Sequence, residues 1–149
     1  MKKPINLCRK TKICKHNLGI PRSKMPQIED DSIRDFLKYI KKSHSIKKQR
    51  FPVSKLKATQ NQLSLKAIRK KQKKIKQGNY NTSPILISKD NYILDGHHRW
   101  ASLRDCEMNP KNCNTNRKFK IKVFKIDSPI KPLLKKTKKF KGVKFSRIY

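Results

Sequence analysis

Five consecutive residues in this chain combine the groups that phosphate chemistry needs: Asp95, Gly96, His97, His98 and Arg99. They follow the apolar run Ile93-Leu94 and precede Trp100-Ala101, so a strand passes through a glycine turn into a helix start. A helix start exposes unpaired backbone N–H groups and the positive end of the helix dipole, which together hold an anion. Gly96, His97, His98 and Arg99 are the expected phosphate- or nucleotide-binding residues, with the Arg99 fork suited to bidentate contact. A helix N-terminus disfavours the cationic imidazole, so His97 is expected to stay neutral and to serve as a base or donor. Asp95 is read either as the cap of the turn or as a second catalytic group, and His98 either as a phosphate ligand or as a packed histidine.

The elements that must position this turn are legible from periodicity. Ser32 and Asp35 match a capping box, and Ile33, Phe36, Leu37 and Ile40 fall on one face of a helix running to about Lys42. Arg50-Phe51-Pro52-Val53 reads as a short edge strand, because proline cannot donate to a ladder. Leu65, Ile68, Gln72 and Ile75 line one face of a second helix after Ser64, which Gly78 ends. Residues 84–88 and 92–94 form a hairpin through Lys89-Asp90-Asn91. The third helix opens at Asp95-Gly96, turns Trp100, Ala101 and Leu103 inward and stops at Asn109-Pro110. Phe119, Ile121 and Val123 alternate with lysines in a half-buried strand.

Charge dominates the rest. The 149 residues carry 41 Lys and Arg against 9 Asp and Glu, a formal net charge of +32, and such a surface needs a polyanion nearby. Residues 36–89 contain no acid, and neither do the segments before Glu29 or after Asp127. Lys66, Arg69, Lys70, Lys73 and Lys74 on the second helix are the expected nucleic-acid contacts, through salt-sensitive binding that needs no folded recognition motif. With 34% hydrophobic residues the core is expected to be modest, spanning residues 18–127. A basic Cys-containing arm (1–17) and a Lys-rich tail (128–149) are expected to flank it. Met1-Lys2-Lys3-Pro4 leads into no apolar run of a signal peptide, and no segment approaches the length needed to cross a bilayer, so no membrane partner is expected.

The cysteines form two close couples, Cys8 with Cys14 and Cys106 with Cys113. Free thiols suit a reducing cytoplasm and disulfides an extracellular particle, Cys106–Cys113 being the pair to test. Convergence of all four with His16 on a metal departs from the usual ligand spacing, and no metal site is expected.

The run Ile-Leu-Asp-Gly-His-His-Arg-Trp-Ala at a hairpin end resembles the ParB/sulfiredoxin superfamily of small domains, over about Phe51 to Lys125. The upstream Leu-Gly-Ile-Pro-Arg, Met-Pro-Gln-Ile and Lys-Ala-Thr-Gln segments extend the likeness to Leu18, toward the ParB-like proteins of tailed phages and large DNA viruses. The resemblance implies an α+β domain with a small mixed sheet and helices on one side. It also implies a nucleotide, whether ATP, ADP or CTP with Mg²⁺, at the glycine turn. His97 stands where sulfiredoxins place their nucleophilic cysteine, and the chain lacks the Gly-Glu-Arg-Arg turn and helix-turn-helix module of partition proteins. Sulfinic acid repair and sliding-clamp partition are therefore not expected. Together the resemblance and the charge imply a nucleic-acid-associated viral-type protein, a candidate virion component, with acidic capsid proteins as further partners. The virion, the viral factory or the host cytoplasm is the expected location. The alternative is a nucleotide-dependent phosphotransferase, NTPase or nuclease acting at the turn.

Overall fold

The fold, taken from a computed structural model, is described for residues 4–146. The Met1–Lys3 start of the expected arm and the Arg147–Tyr149 end of the expected tail lie outside those residues. The helices are α1 (Leu7–Lys10), α2 (Ile33–Lys41), α3 (Leu65–Lys76), α4 (His97–Met108) and α5 (Ile130–Lys138). The strands are β1 (Gln27–Ile28), β2 (Ile46–Pro52), β3 (Ile85–Ile87), β4 (Ile93–Asp95), β5 (Lys120–Ile126) and β6 (Val143–Lys144). The result is a mixed α+β domain. Its main sheet has the order β2-β5-β3-β4, parallel only between β3 and β5, and β1 pairs with β6 in a separate ribbon.

The period of two along each strand feeds two cores. Ile85, Ile87, Ile93, Ile121 and Val123 point to the face covered by α3, α4 and the N-terminal segment. Leu86, Leu94, Phe124 and Ile126 point to the opposite face, covered by α2 and α5. Helices thus lie on both faces rather than one. The three β3 residues are buried on both sides, which a short run of Ile and Leu without alternation already signals.

Three expectations need correction. The N-terminal segment is not an arm: Leu7, Ile13 and Cys14 are buried in the core, and Leu7 N–H donates to the Leu63 carbonyl (2.8 Å). The Lys-rich tail is not a flanking appendage either, because Ile130, Leu133 and Leu134 of α5 are buried in this chain's own core beneath the sheet. Each such side chain contributes about 1.5–3 kcal/mol of burial, enough to dock a short helix that also carries four lysines. Finally, the Ser32 side chain makes no cap bond; a 3-10 turn over Asp30–Ser32 leads into α2 instead.

The cysteines close two disulfides, Cys8–Cys14 and Cys106–Cys113, with Cα separations of 5.2 and 5.4 Å. These are ordinary spans for the bond, and no cysteine among the described residues is free. The first ties α1 to the following 3-10 turn, and the second ties the end of α4 to the loop before β5.

Candidate phosphate-binding cleft

The turn between β4 and α4 is shaped by two local irregularities. Leu86 faces Asp95 while Ile87 faces Ile93, so β4 holds one extra residue in a bulge. Bulges re-aim side chains, and this one turns Asp95 toward β1, where its carboxylate accepts the Ile28 N–H (3.4 Å). Gly96 follows with φ +103° and no side-chain cap above it. A Cβ there would lie 2.8 Å from the Ile85 Cβ and nearer still to its Cγ2, so both the backbone conformation and the packing demand glycine. No acid occupies the first turn of α4.

The two histidines do not project as free bases. His97 is buried, and its Nε2 accepts the backbone N–H groups of Thr59 (2.9 Å) and Gln60 (3.4 Å). An accepting Nε2 places the proton on Nδ1 and keeps the ring neutral. Burial, then the charges of Arg22 and His98, hold its pKa well below the ordinary value. His98 accepts the Ser64 N–H through Nε2 (2.9 Å), and burial followed by the charges of Arg22 and Lys71 pushes it down to about 3. Both rings therefore staple the segment 59–64 to α4. Burial rather than the helix start keeps His97 neutral, and its lone pair already serves two backbone donors, so it does not stand free as a base. Ser64 in turn caps α3 by accepting the Ala67 N–H (3.1 Å), so the pair of histidines fixes the start of α3 as well.

Arg99 occupies the place expected of it. Its Nη2 donates to the Pro84 carbonyl (3.4 Å) and lies 3.7 Å from Asp95 Oδ2, while Nη1 lies 4.0 Å from Asp30 Oδ1. Opposite stands Arg22, whose Nη1 donates to Gln60 Oε1 (3.2 Å). Among the described residues, the buried side-chain polar atoms without a partner are Arg22 Nε, Arg99 Nε and Asn61 Oδ1. Two guanidinium N–H groups on one cleft are thus buried and unused, although such groups are normally satisfied. Lys71 completes the wall. Partial burial, then the charges of Arg99 and Lys74, lower its pKa, as crowded cations require. The cleft measures about 320 Å³ and is also lined by Ile28, Gly96 and His98.

The cleft brings together Gly96 and Arg99, which the sequence singles out, and Arg22 and Lys71, which it does not. Lys71 is indistinguishable in a run of lysines, and Arg22 sits 77 positions before Arg99 in a loop that only tertiary contacts bring close. Of the expected nucleic-acid contacts, Lys66, Lys70, Lys73 and Lys74 are exposed on α3. Arg69 is partly engaged elsewhere: its Nη1 donates to Asp105 (2.7 Å) and to Gln72 (2.6 Å), while its side chain stays 42% exposed. A buried carboxylate needs a cation, and Asp105 recruits this one. Trp100 is core, with its indole N–H donating to the Val53 carbonyl (2.8 Å). Among the described residues no helix is long and apolar enough to cross a membrane. Comparisons of the chain with protein families, with curated proteins and with solved structures give no match.

Proposed function

We propose that this protein binds a nucleotide through its phosphates in the Arg22–Lys71–Arg99 cleft, and that its basic surface associates it with nucleic acid. The observation that carries the first half is the pair of buried, unpartnered Nε–H groups of Arg22 and Arg99 beside the uncapped start of α4. A phosphate placed there gains charge-assisted hydrogen bonds from both arginines and from the helix start. It also relieves the crowding of Arg99 with Lys71. Mg²⁺ is commonly held by one or two carboxylates plus substrate phosphates; Asp95 and the exposed Asp30, both beside Arg99, fit that role. The resemblance to ParB-like domains supports a nucleotide over other phosphates. The same resemblance, with the charge of +32, supports a genome-associated viral role. The disulfides are compatible with residence in a virion, one of the settings where such bonds persist.

A second reading, hydrolysis or phosphoryl transfer, has one observation in its favour. Burial, acting against the charges of Arg99 and Arg22, raises the Asp95 carboxyl on the wall of the cleft, which is how enzymes tune a carboxylate toward acid–base work.

The test is isothermal titration with ATP, ADP and CTP, with and without Mg²⁺, at about 0.3 M salt to screen diffuse attraction. Saturable binding weakened at least about tenfold by Arg99→Ala and by Arg22→Ala is expected, the size of one or two charge-assisted hydrogen bonds. Binding that ignores both substitutions overturns the assignment of the cleft.

A further inference from the structure

Away from the cleft, the main sheet carries a block of cations that no helix covers. β2 is an edge strand, paired antiparallel to β5 from Ile46↔Ile126 to Pro52↔Lys120. Lys48 and Arg50 share one face with Lys120 and Lys122, and Arg50 stands directly opposite Lys122. All four side chains are exposed, whereas Ile46, Phe124 and Ile126, farther along the same face, pack with α2 and α5. Like charges directly opposite in an antiparallel pair are destabilising, and neither strand contains an acid. At the Pro52 end the face opens into a cleft of about 480 Å³ lined by Arg50, Arg117, Lys118 and Lys120. The one acid in that cleft, Glu107, is already engaged: its side chain is 2% exposed, pairs with Arg104 (3.0 Å) and accepts the Phe119 N–H (2.6 Å).

We infer that this β2–β5 ribbon, continued by the Arg117–Lys118 cleft, is the track on which a nucleic-acid backbone docks. Same-face residues repeat at about 6.8 Å along a strand, close to the advance of two phosphates along a duplex axis at about 3.4 Å each. A protein partner would need an apolar centre in the patch. The exposed large hydrophobic side chains among the described residues are Ile5 and Phe145, both outside the ribbon. The inference rests on the nucleic-acid association proposed above and names the surface responsible, which is not the α3 face expected from sequence.

The experiment measures binding of the full-length protein to short mixed-sequence duplex DNA by fluorescence anisotropy across a salt series. Two charge-matched variants are compared, Lys48→Gln/Arg50→Gln/Lys120→Gln/Lys122→Gln and Lys66→Gln/Lys70→Gln/Lys73→Gln/Lys74→Gln. The ribbon variant is expected to lose at least about tenfold at about 0.1 M salt, with a log–log salt slope shallower by about 3–4; the α3 variant stays within about threefold. Arg50→Gln alone removes one cation and its like-charge pair, so it is expected to keep or raise the melting temperature while making the slope shallower by about 1. Equal losses in both quadruple variants, or a larger loss on α3, overturn the ribbon while leaving the association intact. No binding of wild type to DNA or RNA overturns both, as does capture of poly-glutamate in preference to either.

Discussion

Two buried aspartates lie near the two ends of helix α4, and they are treated in opposite ways. At the C-terminal end Asp105 is saturated: Arg69 (2.7 Å), Gln72 (2.8 Å) and Asn112 (3.0 Å) all donate to its Oδ2. Burial alone would raise its pKa, but those three bonds and the Arg69 charge outweigh it and the carboxyl ends below its ordinary value. Before the N-terminal end Asp95 has one long backbone bond and an arginine 3.7 Å away. There burial wins and the pKa rises. The Asp105 carboxylate is a hub that holds α3, α4 and the disulfide-closed loop together. The other end, with Arg22 Nε and Arg99 Nε unused, has bonding capacity in reserve. Satisfaction of polar groups, more than burial or charge, separates the two ends.

Acid should break this comparison most strongly. Both histidines at the N-terminal end have folded pKa values below their ordinary 6.5, so the stability they allow is present above about pH 6.5 and is lost as pH falls. Each can remove up to about 1.4 kcal/mol per pH unit. Hydrogen exchange at pH 5 should open residues 59–64 while the amides around Asp105 stay protected. Simultaneous opening of both ends would contradict the assignment, and His98→Gln should flatten the acid slope.

Gly96→Ala comes next. Strain at positive φ and overlap with Ile85 together should destabilise by about 4 kcal/mol, seen as a lower denaturant midpoint; an unchanged midpoint would mean that the turn has room to spare.

The two carboxylates give the sharpest contrast. Asp105→Asn should cost about 1–3 kcal/mol at pH 7, because the amide replaces a buried carboxylate that accepts three donors, one of them the half-exposed Arg69. Asp105 has a lowered folded pKa, so this difference should begin to shrink below its ordinary 3.8 and be lost as pH falls through the lower folded value. Asp95→Asn should be neutral or stabilising at pH 7, since a raised folded pKa favours folding only below about 3.8 and that contribution is lost as pH rises. Parallel denaturation curves that rank the two substitutions the other way would overturn the distinction.

The smallest effect on the cleft is expected at the disulfide beside Asp105. Opening Cys106–Cys113, a loop of sequence separation 7, should cost about 2–3 kcal/mol by loop entropy. Cys106→Ser/Cys113→Ser should therefore melt lower while nucleotide affinity at the opposite end of α4 stays unchanged.

Short-range pattern carried much of the fold. Ser64, the spacing of Leu65, Ile68, Gln72 and Ile75, and Gly78 defined α3 in the sequence, and the structure places it at Leu65–Lys76 with Ser64 as its cap. The hairpin of residues 85–95 and the α4 turn were equally readable, because a change from period two to period 3.6 through a glycine is a local signal. β2 was only half visible. It starts at Ile46, but Lys47, Lys48 and Gln49 on an edge show no alternation of apolar and polar residues. The N- and C-terminal segments misled for the same reason: lysine-rich composition hides Leu7, Ile13, Ile130, Leu133 and Leu134, which are few but buried.

The sequence by itself determined that a glycine turn, a helix start and an arginine fork meet at Gly96–Arg99, since these are consequences of adjacent residues. It also determined the excess of positive charge. Only the tertiary structure decided which cations are free. Arg69 is withdrawn to Asp105, while Arg22 is brought across to face Arg99. The histidines are committed to the backbone of residues 59–64, and Arg50 is set against Lys122 by strand register. Those outcomes depend on long-range pairing and on which polar groups find partners, and no local pattern encodes either.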